Sequence, residues 1–119
     1  MDEIRKRTNE VIPLAWEPDI QTGIYAIEVY PAATLIAHKI SAQGYKRREN
    51  IEVRKTMLKD LQRLIDLPSD LSQMESNDDT FDAGICVLAS VDFLKGNAYY
   101  PPNLELARKE GWIWVRKPA

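Results

Sequence analysis

The sequence predicts an α/β domain, with α+β as the alternative, and three observations predict it. Residues 24–30 (Ile-Tyr-Ala-Ile-Glu-Val-Tyr) concentrate β-branched and aromatic side chains and are closed by Pro31, the composition of a strand. That run does not alternate strictly between apolar and polar, so both of its faces are expected to be covered, as in a sheet flanked by helices. Residues 51–66 and 77–94 carry apolar residues at helical spacing, and 111–115 (Gly-Trp-Ile-Trp-Val) read as a second short strand. The expected inventory is two or three strands and three or four helices.

Bulk properties bound the rest. A chain of 119 residues is one domain or part of one, long enough for a single modest core. Its hydrophobic content of 45%, charged content of 29% and net charge of −2 are those of an ordinary soluble globular chain, without a global pull toward nucleic acid or membrane. The single Cys86 excludes an internal disulfide and fits a reducing cytoplasm, the expected location; inside an apolar helix it is a poor nucleophile. No apolar run approaches the roughly 18 residues of a membrane span. The charged start (Met-Asp-Glu-Ile-Arg-Lys-Arg) has no apolar stretch behind it and does not read as a signal peptide.

In chain order, residues 1–12 read as a charged segment or the end of a helix, closed by Pro13, and 14–22 as a loop around Trp16 and Pro18. After the 24–30 strand, residues 32–40 read as a short helix bearing His38, the only histidine; with no second His or Cys nearby a zinc site is not expected. Residues 44–48 (Gly-Tyr-Lys-Arg-Arg) form a basic turn. Asn50 then caps the helix over 51–66, whose stripe is Met57, Leu58, Leu61, Leu64 and Ile65, with Arg54, Lys55, Lys59 and Arg63 on the other face. Pro68 ends it, and residues 68–76 form a polar loop. Asn77 or Asp78 caps the helix over 77–94, and Gly96 stops it. Apolar residues Phe81, Ile85, Val87, Leu88, Val91 and Leu94 fall on nearly every side, so this helix is expected to be buried. Residues 103–110 form one or two helical turns before the final strand.

Charge is polarised locally. Residues 46–63 hold seven Lys/Arg against three Asp/Glu, whereas 66–82 hold six acids and no base. A basic face beside an acidic pocket suits a phosphate backbone meeting a metal site, and a solvated helix face is the plainer alternative. Asp78, Asp79 and Asp82 lie within one turn on or near one face of the 77–94 helix. Capping and solvation account for such acids, and a divalent metal is the other candidate partner. Glu28 is the one charge in the 24–30 strand, near its carboxyl end, where ligands collect in open α/β sheets; edge protection is its alternative role.

Four segments in order resemble a known family: 27–33 (Ile-Glu-Val-Tyr-Pro-Ala-Ala), 44–46 (Gly-Tyr-Lys), 78–83 (Asp-Asp-Thr-Phe-Asp-Ala) and 110–115 (Glu-Gly-Trp-Ile-Trp-Val). They look like the C-terminal portion of the predicted ribonuclease H-like nuclease family catalogued as domain of unknown function 429; Arg7-Thr8-Asn9 is similar to an Arg-Thr-Asp segment of some members. The resemblance implies a partial ribonuclease H-like fold and Mg²⁺- or Mn²⁺-dependent phosphodiester hydrolysis. Carried over, Glu28, Asp79 and Asp82 would be catalytic, with Asp78 as a further metal ligand. Lys46 would face phosphate, and with Arg47 and Arg48 it makes the candidate nucleic-acid contact. The first strand of the full fold, with its essential Asp, has no counterpart here: Asp2 has no strand around it and Asp19 lies in a loop. The resemblance therefore leaves open that this chain is inactive alone. Association is expected, with another copy or with a missing N-terminal half, to cover a bare sheet. The competing readings are a non-catalytic oligomerising or partner-binding domain, and nucleic-acid binding without cleavage through the basic turn with Arg54 and Lys55.

Overall fold

A computed structural model describes residues 12–18 and 23–118. The expected charged segment at the start, Arg7 to Asn9, Asp2 and Asp19 lie outside the described residues. Among the described residues five helices follow one another: α1 Pro31–Ala37, α2 Ile51–Leu61, α3 Ser72–Ser76, α4 Asp78–Leu94 and α5 Leu104–Glu110. None is long and apolar enough to cross a membrane.

The expected α/β sheet is not there: among the described residues no sheet forms, and the fold is predominantly helical. Three isolated bridges stand in its place, Leu14 with Ala26, Glu28 with Ile113, and Ala98 with Arg116. The cause is local chemistry. The Ala15 amide donates to the Ala26 carbonyl and the Ala26 amide to the Pro13 carbonyl. The preceding rung would need an N–H from Pro13, which has none. Two residues later the partner changes, because the Glu28 carbonyl accepts from the Trp114 amide. Among the described residues neither pairing gains a second rung, so 24–30 is extended backbone between two neighbours rather than a strand.

Helix α4 carries the architecture, packing against α1 and α3. Asn77 caps it, its side-chain oxygen accepting from the amides of Asp79 (2.9 Å) and Thr80 (3.2 Å). At the far end Gly96 (φ 72°) and Asn97 close a Schellman turn, their amides donating to the carbonyls of Phe93 and Asp92. Phe81, Ile85 and Leu88 of α4 enter one core with Leu35, Tyr45, Leu58 and Leu61; Phe93 enters a second with Ala15, Ala98 and Trp114. Apolarity on all sides does not mean burial on all sides: Val87 and Leu94 are more than half exposed.

Helix α2 stops at Leu61, short of the expected end at residue 66, and Leu64 is exposed. Asn50 occupies its N-cap position but does not cap it; the amide turns back to donate to the Gly44 carbonyl at 2.7 Å. Arg54, expected on the solvated face, is fully buried, at the head of the stripe Arg54, Met57, Leu58, Leu61. Its guanidinium has no carboxylate partner among the described residues. Instead it donates to four backbone carbonyls: Tyr45 (2.6 Å), Arg47 (2.8 Å), Arg48 (3.0 Å) and Glu75 (2.6 Å). One side chain thus ties α2 to the basic turn and to the end of α3. Removing it strands four carbonyls in a low-dielectric site, where each unsatisfied group costs about 1–3 kcal/mol. Arg54→Met is therefore expected to destabilise the chain by at least about 3 kcal/mol in urea unfolding; a loss under about 1 kcal/mol would contradict the clamp.

Candidate functional site

The loop clamped by Arg54 presents two side chains to the mouth of α4. Gly44 takes φ 79°, and a Cβ there would press on the Asn50 amide at 3.1 Å, so glycine is required for the turn. Tyr45 is buried with its ring 5.3 Å from that of Phe81. Its hydroxyl donates to Asp82 Oδ1 at 2.8 Å. Lys46 Nζ lies 3.2 Å from Asp82 Oδ2, with the lysine side chain 59% exposed and the aspartate side chain 18% exposed. Both carboxylate oxygens of Asp82 are therefore engaged, one by a neutral donor and one by an ammonium that reaches it from solvent.

The electrostatics follow from this placement. Burial first, then the hydrogen bond to Asp82 and the charges of Asp82 and Asp78, push the Tyr45 hydroxyl well above the usual tyrosine range. The hydrogen bond to Asp82 and that residue's charge raise the Lys46 ammonium, with a smaller contribution from Asp78. Asp78 and Asp82, one turn apart on α4, thus act on the same two groups. Burial, with Asp82's charge adding, also raises the Cys86 thiol, which suits an inert cysteine.

The remaining candidates lie elsewhere. Asp79 is exposed, its amide bound to the Asn77 cap. Glu28 is exposed, and its carboxylate lies against Gly111, where an added Cβ would come within 3.1 Å of Oε1. Among the described residues no group of three or more His, Cys, Asp or Glu is placed to hold a metal ion together. Arg47 and Arg48 are exposed beside Lys46, while Arg54 is buried in its carbonyl clamp and Lys55 pairs with Glu52 at 3.4 Å.

A second polar cluster was missed in the sequence. His38 Nε2 lies 2.7 Å from Asp92 Oδ2, and the Arg116 guanidinium lies 2.8 Å from His38 Nδ1. A guanidinium only donates, so Nδ1 accepts, the ring proton sits on Nε2, and that proton is donated to Asp92. The available signal was Asp92 itself, an acid between Val91 and Phe93 in an apolar run, which demands a buried partner.

The profile of the family described as "Protein of unknown function (DUF429)" matches residues 3–106, most of the chain. Neither the curated proteins nor the solved structures contain a match.

Because Tyr45 ionises less readily folded than unfolded, its contribution to stability is complete below the ordinary tyrosine pKa of about 10 and is lost as pH rises above it. Thermal unfolding between pH 8 and 11 is expected to show an alkaline fall that Tyr45→Phe reduces. In absorbance titration one of the five tyrosines should ionise only on unfolding; five that titrate together in the folded chain would contradict the Tyr45–Asp82 bond.

Proposed function

The chain belongs to the DUF429 family of proteins of unknown function, and on that footing we propose that it handles phosphodiesters in a nuclease-like way at Asp78 and Asp82. One observation carries the reading: the paired carboxylates at the mouth of α4 face a solvent-reaching lysine with two further exposed arginines beside it. Mg²⁺ characteristically takes one or two protein carboxylates and completes its shell with water and substrate phosphate. The acid pair fits one such ion, Mg²⁺ or Mn²⁺. When bound, it would lower the pKa of a coordinated water and offset phosphate charge. Lys46 has two roles in this reading. It neutralises Asp82 in the ligand-free chain, and it is the group nearest to receive a phosphate oxygen. Arg47 and Arg48 extend the same cationic edge along a nucleic-acid backbone. The Tyr45 hydroxyl keeps its proton and fixes the Asp82 carboxylate.

Calorimetry with Mn²⁺ separates these roles. Asp82→Asn is expected to abolish binding. Lys46→Gln should strengthen Mn²⁺ binding several-fold by removing a competing cation, while weakening binding of single-stranded DNA or RNA at low salt. A Lys46→Gln chain that binds Mn²⁺ more weakly than wild type would sink this account of the pair.

A second reading, a partner-binding or self-associating domain, is favoured by the exposed apolar side chains of the 24–30 segment and its neighbour: Ile24, Tyr25, Tyr30 and Ile113 are each 46–55% exposed. They flank backbone whose ladders are incomplete, the kind of edge that another chain can extend. Light scattering is expected to give more than a monomer mass at micromolar concentration, and Tyr25→Lys should return it toward the monomer; a strictly monomeric wild type argues against this reading.

A further inference from the structure

Ten residues beyond Asp82, about 15 Å further along the axis of α4, Asp92 anchors the His38–Arg116 chain at the edge of a separate cleft. The cleft measures about 510 Å³ and is walled by Ile36, Ala37, Tyr99 and Pro118, with His38, Lys39 and Arg116 as its polar lining. That is the size and character of a small-molecule site: mostly apolar walls with a few placed polar groups.

Two features of the polar groups point to an anion. First, Arg116 spends one donor on His38 Nδ1 and has no carboxylate partner or other side-chain hydrogen bond among the described residues. Its direction is nonetheless set, because His38 is held by Asp92, and their side chains are only 2% and 9% exposed. Among the described residues the guanidinium thus keeps donors that no carboxylate takes up.

Second, α1 ends in a Schellman turn in which the Lys39 amide donates to the Ile36 carbonyl and the Ile40 amide to Leu35. The residue at its left-handed position is Lys39, φ 62°, where glycine is the ordinary occupant. Strain kept at a residue lining a cleft points toward function. Lys39 also borders a smaller cleft lined by Asp60 and Arg63, which lie 3.9 Å apart as a pair of their own. Arg116 falls outside the matched residues 3–106, so the family profile does not describe this site as a unit.

We propose that the cleft between the end of α1 and the C-terminal segment binds a small molecule that joins an oxyanion, phosphate or carboxylate, to a flat apolar body, with Arg116 and Lys39 holding the anion. Tyr99 and Ile36, 46% and 65% exposed, receive the apolar part. His38 and Asp92 are positioning residues that aim Arg116.

The chain has one histidine, so its ring nitrogen resonances report the site without ambiguity. Titrating the intact chain with phenyl phosphate, benzoate and inorganic phosphate is expected to give a saturable shift at Nδ1 with at least one aromatic probe. Preference between the two aromatic probes identifies phosphate or carboxylate as the anion. Arg116→Gln should abolish the response. Lys39→Gly relieves the left-handed strain, so it should raise the melting temperature while weakening binding about fivefold or more; this variant decides the matter if Arg116→Gln fails to fold. No saturable shift with either aromatic probe, or unchanged affinity in Lys39→Gly, overturns the proposal. Equal affinity for inorganic phosphate and the aromatic probes contradicts its apolar half.

Discussion

The buried guanidinium of Arg54 is the interaction on which the rest depends. A charge taken wholly out of water must be compensated where it lies, and here four backbone carbonyls do so. Three belong to the basic turn and one to α3. The turn belongs to no helix or strand, so its shape is set by these bonds together with that from the Asn50 side chain to the Gly44 carbonyl. That shape places the Tyr45 hydroxyl and the Lys46 ammonium on the two oxygens of Asp82. Arg54 therefore shapes the environment of Asp82 without touching it.

Helix α4 supplies the acids of both side-chain clusters. Its first two turns bear Asp78 and Asp82 under the basic turn; its last bears Asp92 under His38 and Arg116. Between them the helix is anchored by apolar residues in two cores. The two acidic positions differ in kind. Asp82 is met by a cation that solvent reaches, a pairing that adds little stability and is easily exchanged. Asp92 is met by a neutral imidazole that is itself held on its other side, an arrangement suited to positioning. Exchange belongs with the proposed phosphodiester site, and fixed direction with the proposed anion cleft.

Helix α4 was legible in the residues because its signals are local: Asn77 ahead of two acids, a long apolar run, then Gly96. The basic turn was also legible as a turn. The sheet was not. The composition of 24–30 correctly announces extended backbone, but a ladder depends on partners distant in sequence, and Pro13 and the change of neighbour between Ala26 and Glu28 interrupt it. The strand-end argument for Glu28 goes with it, which leaves that residue only the family resemblance. Arg54 was misplaced because charge was taken as a mark of the solvated face, although its spacing to Met57, Leu58 and Leu61 puts it on the buried one. The His38–Asp92–Arg116 chain joins residues 54 and 78 positions apart, which no periodicity reveals.

The most direct test of the central claim, that Asp78 and Asp82 form an exchangeable cation site under a lysine, is paramagnetic broadening of amide resonances by substoichiometric Mn²⁺. The amides of Tyr45, Lys46, Asp78 and Asp82 should broaden first and together, with those of Glu28 and Gly111 unaffected at the same Mn²⁺ concentration. Broadening that begins at Glu28, or that spreads evenly over the acidic surface without favouring the mouth of α4, would contradict it.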